Sequence, residues 1–301
     1  MHRKMLLSMI ATAVFAASPA LGQELTGTLK KIKDTGAITL GHRESSVPFS
    51  YYDDKQQVVG YAMDLCARIV DGVKNSLKLA TLETKLNPVT SATRIPLIAN
   101  GTVDLECGST TNNLERQKQV SFTITHFVTA NRFVSKKAAN LKTVDDLKGK
   151  TIVSTSGTTN IKQITEIGAQ KGLNFNILAA KDHAEAFLMV ETGRAAAFVM
   201  DDILLYSLVA GSKSPQDYVI SADALSVEPY GIMLHRDDTP FKKVVDEAMI
   251  ATYRSGAINA IYDKWFLKPI PPKGLNLNVP MSDAFKKVIA NPTDSGDPAV
   301  Y

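Results

Sequence analysis

Apolar positions along this chain follow two rhythms, and their alternation sets the expected architecture. From Tyr61 to Leu79 they recur as Leu65, Ile69, Val73 and Leu77, the stripe of an amphipathic helix. Short apolar runs bounded by turn residues, Ala37 to Gly41, Leu82 to Pro88 and Val103 to Cys107, predict strands. Short helices are predicted over Leu29 to Asp34 and Ser91 to Ala99, the second ended by Asn100-Gly101. A second set begins after Val128. Its predicted strands are Phe133 to Ser135, Lys150 to Ser154, Asn176 to Leu178 and Ala196 to Met200, with helices at Thr158 to Gly168 and Ala184 to Glu191. Strands separated by helices imply parallel βαβ units and an α/β fold.

The two sets share a layout. Ser91 to Ser109 runs helix, Asn-Gly turn, apolar strand, polar cluster; Asp182 to Asp202 runs helix, Thr-Gly turn, apolar strand, polar cluster. Both deliver polar residues to the carboxyl end of a strand, where open α/β sheets bind ligands. Two such lobes facing each other make a cleft. Two further predicted helices, Phe241 to Tyr253 and Ala257 to Phe266, follow a second turn of the chain and suit a return to the first lobe. The expected organisation is a discontinuous first lobe of residues 23–125 and 234–280 and a second lobe of 130–228. Hinge crossings fall at 126–129 and 229–233, and a partly disordered tail at 281–301. From Asn291 the tail is rich in Pro, Asp, Ser and Gly.

The amino end adds a compartment. Met1-His2-Arg3-Lys4 is basic, Met5 to Ala17 is apolar, and Ser18-Pro19-Ala20-Leu21-Gly22 offers small residues for a signal peptidase cutting after Gly22. The run is short for a membrane span, which needs about 20 apolar residues, and no later segment approaches that length. A soluble exported protein, periplasmic in a two-membrane cell, is the expectation. The formal net charge is +4, aromatics are 7% and no Lys/Arg block occurs, which argues against nucleic-acid binding. Cys66 and Cys107 are the two cysteines. A disulfide and two buried thiols both remain open from sequence.

One stretch carries recognisable chemistry. Leu105-Glu106-Cys107-Gly108-Ser109-Thr110-Thr111-Asn112-Asn113-Leu114-Glu115-Arg116 joins a strand end to hydroxyls, amides and a guanidinium. N–H groups, hydroxyls and an arginine gathered at a strand end suit a carboxylate or phosphate; the alternative is a loop that only caps a helix. No Gly-x-Ser-x-Gly elbow, His-Glu-x-x-His, Cys-x-x-Cys or phosphate-loop lysine motif is present, and no cofactor is called for.

The chain resembles the type II periplasmic solute-binding proteins of the polar amino-acid family, soluble receptors that serve ABC importers. The residues carrying this are Val47-Pro48-Phe49, Val59-Gly60-Tyr61 with Asp64, Arg94-Ile95-Pro96-Leu97, the stretch through Arg116, Asp146 to Lys150, Thr155-Ser156-Gly157-Thr158-Thr159, Met200-Asp201-Asp202 and Ile261 to Phe266. The resemblance implies a two-lobed α/β fold with two hinge crossings. It implies Arg116, with Ser109 and Thr111, as an α-carboxylate site, and Asp201, with Thr158 and Thr159, as its partner for the ammonium. Within the family the chain is most similar to receptors for glutamate and aspartate. Where relatives for neutral or cationic ligands carry aromatic rings, this chain has Ser46 and Ser91, and it adds Arg43 and Arg94. Those residues suit a side-chain carboxylate, with His183 as a further donor.

Each assignment has a plainer alternative. Arg43 and Arg94 fit exposed arginines, Ser91 a helix cap, His183 a structural histidine, and one of Asp201 and Asp202 an N-cap. The implied partners are L-glutamate or L-aspartate and a membrane permease, with a monomeric protein and no membrane insertion. A periplasmic dehydratase on the same fold and a sensor module are the rival functions. A wall of Arg43, Ser91 and Arg94 favours a small dianion over a ring-containing substrate.

Overall fold

A computed structural model describes residues 24–301. The leader expected over 1–22 lies outside the described residues. The first helix, Gly27–Thr35, stops at Gly36, whose φ of 67° lies in the left-handed region that glycine occupies without a Cβ clash. The chain then enters the strand Ala37–His42, the centre of the first lobe's sheet. The helix Tyr61–Ser76 buries Leu65, Ile69 and Val73, with Leu77 just beyond it, as the 3.6-residue stripe predicts. It leads to Glu83–Pro88, and the short helix Arg94–Ala99 leads to Leu105–Cys107. Both strands lie parallel to Ala37–His42, one on each side. Cys66 on the helix and Cys107 at the end of the strand form a disulfide with Cα atoms 6.2 Å apart, which settles the alternative left open above.

The second lobe repeats this plan. Thr151–Thr155 is central, with Asn176–Ala180 and Ala197–Asp201 parallel to it on either side. The connecting helices are Thr159–Lys171 and His183–Glu191. In both lobes the chain leaves the central strand first to one side and then to the other. The carboxyl ends of the central strand and its later neighbour therefore open together.

One strand in each lobe's sheet runs against the parallel set beside it. Phe127–Lys136 pairs antiparallel with Ala197–Asp201, and Met233–Leu234 pairs antiparallel with Leu105–Cys107. The reason is geometric. Each of these strands enters its lobe from the cleft, where the parallel strands end, so it has to run against them. Sequence reading placed Phe133 to Ser135 in a strand, and the observed element is longer because its first half is paired by Ser226–Tyr230.

The chain passes from the first sheet to the second between Phe122 and Phe127, and returns between Tyr230 and Met233. An aromatic cluster fills this junction. Phe49 lies 5.1 Å from Phe127 and 5.2 Å from Tyr230, and Phe266 lies 5.0 Å from Phe127, all between ring centroids. His126 is buried among them, where desolvation lowers its pKa to about 3 and keeps it neutral.

The carboxyl-terminal segment departs from its composition. In place of the disorder expected there, the helix Asp283–Ala290 buries Phe285 and Val288, and the last residues lie along the junction. Thr125 N donates to Thr293 O at 2.8 Å, Asn112 Nδ2 and Gln117 Nε2 donate to Asp294 O, and Tyr301 meets Thr125 through hydroxyls 2.7 Å apart. The backbone carbonyls of a segment that looks solvated in sequence are held here by donors supplied from far away in the chain.

Candidate functional site

Between the lobes the strand ends face each other, and ten of the eleven residues singled out from sequence gather there, Ser46 being the exception. Ser91, Arg94, Ser109, Thr111, Thr158, Thr159, His183 and Asp201 line one narrow space. Arg43 joins it by donating from Nη2 to Ser91 Oγ at 2.9 Å. Arg116 joins by donating to Thr111 O at 2.8 Å and, across the cleft, to Gly157 O at 3.2 Å. The walls nearly touch, with Thr111 and Thr159 hydroxyl oxygens 3.5 Å apart.

Local sequence explains each placement. Arg43 follows the central strand of the first lobe, and Ser109 to Arg116 follow its neighbour, whose end the disulfide anchors. Thr158 caps the helix Thr159–Lys171 by accepting from Ile161 N at 3.3 Å, so that helix's amino end points into the space. His183 opens the next helix, where Asp182 is the cap. Asp201 ends the strand Ala197–Asp201, and its side chain caps nothing. It instead accepts from Asn160 Nδ2 at 2.7 Å and from the Tyr230 hydroxyl.

The exposed-arginine alternative fails on burial. Arg43 and Arg94 are each 2% exposed, so neither is a surface arginine. Ser91 precedes the helix start and holds Arg43 in place of a cap. Arg94 donates to Thr110 Oγ1 at 2.5 Å and to Ser109 O, and lies 3.8 Å from Glu106 Oε1. Thr110 in turn donates to Glu106 Oε2 at 2.6 Å.

Several donors point at nothing. Among the described residues, no hydrogen-bond partner meets Arg43 Nε or Nη1, Arg94 Nε, Ser109 Oγ or His183 Nε2. Buried polar atoms are rarely left this way, because each loses its hydration without replacement. Burial, with mutual repulsion from Arg94, lowers Arg43 to about 10 and Arg116 to about 9. Both stay charged at neutral pH. His183 is pushed well below the usual range by burial and by Arg43 and Arg94, so it is neutral. Its Nδ1 lies 2.8 Å from Thr155 Oγ1, and in the tautomer that accepts there, Nε2–H is a free donor. On the other wall Asp201 is raised to about 7, chiefly by burial and then by Glu228. A cation placed beside it would oppose both effects.

Sequence reading missed the residues that hold this arrangement. Glu106 faces Arg94; Asn160 and Tyr230 hold Asp201; Glu228 accepts from Thr159 Oγ1 at 2.9 Å and from Gln163 Nε2 at 2.8 Å. The available signal was an acid inside each of two apolar runs, Leu105-Glu106-Cys107 and Val227-Glu228-Pro229. An ionisable group on a buried strand asks for a partner.

Two lobes joined by two crossings, with a buried polar cleft between them, define a solute-binding protein of the type II periplasmic fold. The family model for bacterial extracellular solute-binding proteins, family 3, matches residues 38–268, and the chain belongs to that family. It is 55% identical to the L-glutamate/L-aspartate-binding protein of Pseudomonas aeruginosa over 95% of this chain and 96% of that protein. It is 47% identical to the glutamate/aspartate import solute-binding protein of Escherichia coli, over 92% of this chain and 91% of that one. Among solved structures, a mutant of ArgBP from T. maritima superposes with a TM-score of 0.71 at 26% identity, covering 79% of this chain and 99% of that one.

Proposed function

We propose that this protein captures L-glutamate or L-aspartate by closing its lobes on the ligand, and delivers it to an ABC importer in the membrane. The carrying observation is the convergence of unpartnered buried donors from Arg43, Arg94, Ser109 and His183 opposite a desolvated Asp201. An acidic amino acid supplies the complement, two carboxylates and one ammonium. Arg116, with Ser109 and Thr111, takes the α-carboxylate. Asp201 takes the ammonium, with Thr158 and Thr159 closing from the second lobe. Arg43, Ser91, Arg94 and His183 take the side-chain carboxylate. A carboxylate between the arginines also relieves their repulsion, which the empty charge arrangement leaves in place.

The protein returns its solute unchanged. Relatives at high identity are binding proteins. Among the described residues no helix is long and apolar enough to cross a membrane. We place the mature chain in the periplasm after cleavage following Gly22, as a monomer that docks on the permease and binds no nucleic acid.

Calorimetric titration of the mature protein tests the assignment. L-glutamate and L-aspartate are expected to bind tightly and L-glutamine at least tenfold more weakly. Charge-assisted hydrogen bonds contribute roughly 1.5–3 kcal/mol each, and 1.4 kcal/mol is a factor of ten. Arg116→Ala abolishes binding of every amino acid, whereas Arg43→Met narrows the gap between glutamate and glutamine. Equal binding of glutamate and glutamine by the wild type would sink the specificity; equal losses for both ligands in both variants would sink the division of roles.

A further inference from the structure

The lobes meet through main chain at Gly157. This residue lies in the turn before Thr158, with φ at +77°. A Cβ built there falls 2.6 Å from Ala92 Cα and 2.7 Å from both Ala92 N and Ser91 C, on the opposite lobe. Real Cβ atoms do not approach backbone that closely, and backbone cannot be trimmed to make room. The Gly157 carbonyl accepts from Arg116 Nη2, again across the cleft. Ser91, on which Gly157 rests, is also the residue that receives Arg43 Nη2. One peptide therefore carries both the seat of the second lobe and the anchor of Arg43.

We propose that Gly157 sets the closed state: its missing side chain lets the second lobe seat on Ser91-Ala92, bringing Thr158, Thr159 and Asp201 within reach of a ligand held on the first lobe. This rests on the capture reading and adds to it a residue that acts through fit alone. A methyl group at position 157 has no free direction in the closed form. The second lobe then stands off, the bond from Arg116 to Gly157 O breaks, and the ligand keeps only its first-lobe contacts. The contact also ties seating to the position of the Ser91 peptide, and so to where Arg43 sits.

A left-handed backbone strains any alanine, so a control is needed that shares the strain and lacks the contact. Gly193 provides it. It lies in the same lobe at φ +75°, and a Cβ there meets nothing within 4 Å. The experiment compares Gly157→Ala with Gly193→Ala by thermal melting without ligand, by calorimetric titration with L-glutamate, and by small-angle scattering at saturation. The two variants are expected to melt alike. Gly157→Ala is expected to bind glutamate at least tenfold more weakly than Gly193→Ala, and to keep the larger radius of gyration of the ligand-free wild type when saturated. Equal affinities, or full compaction of Gly157→Ala at saturation, overturn the proposal. Wild-type protein in the same titration separates the two ideas. If it binds L-glutamine in preference to L-glutamate, the ligand assignment fails, and the Gly157 comparison is read with L-glutamine instead.

Discussion

In the function proposed above, Asp201 is the side chain whose ionisation would report capture. Burial and the nearby Glu228 raise it to about 7, above the ordinary carboxylate value. In the ligand-free protein that proton contributes stability at low pH, which is lost as pH rises through the raised value. A ligand ammonium placed beside it, as proposed, would favour the charged form and expel the proton on binding. Affinity for L-glutamate is expected to rise with pH from 5.5 to about 7, by at most tenfold per unit, and then level off. Titrations in buffers of differing ionisation enthalpy count the released proton. Asp201→Asn is expected to bind weakly with a flat profile; a variant that keeps the wild-type slope would move the proton to another group. At this scale the sequence was partly legible. Side-chain types at motif positions pointed to Arg43, Arg94, Arg116 and Asp201. Burial at 2% for Arg43 and Arg94 comes from residues distant in sequence, and periodicity cannot show it. Glu106 and Glu228 were hidden for the converse reason: an acid in an apolar strand looks like an interruption until its partner is in view.

Among the elements, the helix Tyr61–Ser76 and the strand Leu105–Cys107 are joined covalently through Cys66 and Cys107. The disulfide closes a loop with a sequence separation of 41 residues. Loops of this size contribute about 2–4 kcal/mol, chiefly by restricting the unfolded chain. Replacing both cysteines with alanine is expected to lower the melting temperature by several degrees while leaving the order of ligand preference unchanged. A melting temperature that does not move would mean the unfolded chain was already restrained there. Apolar stripes and turn residues made the helices and parallel strands readable, because those signals are local. The return strands Phe127–Lys136 and Met233–Leu234 were less so, since their direction follows from entering through the cleft. The segment after Asn291 misled for the same reason. Its composition is rich in Pro, Asp, Ser and Gly, yet Thr125, Asn112 and Gln117 supply its hydrogen bonds.

At the scale of the molecule, function depends on how two similar lobes move about two crossings packed by Phe49, Phe127, Tyr230 and Phe266. A ligand that contacts both walls favours the closed form by its differential affinity. Small-angle scattering of the wild type is expected to show compaction on adding L-glutamate, and none on adding an amino acid that leaves the melting temperature unchanged. A ligand that raises the melting temperature without compaction would point to binding on one lobe only. By itself the sequence determined the repeated helix, turn, strand and polar-site plan, and the kinds of side chain brought to the strand ends. Both are properties of short segments, set by periodicity and by residue chemistry. Only the tertiary structure decided which ends face each other, that Cys66 reaches Cys107, that Arg116 spans the cleft to Gly157, and that Arg43, Arg94 and His183 are left with donors unspent. Those facts depend on distances between residues far apart along the chain, and such distances exist only once the lobes have folded against each other.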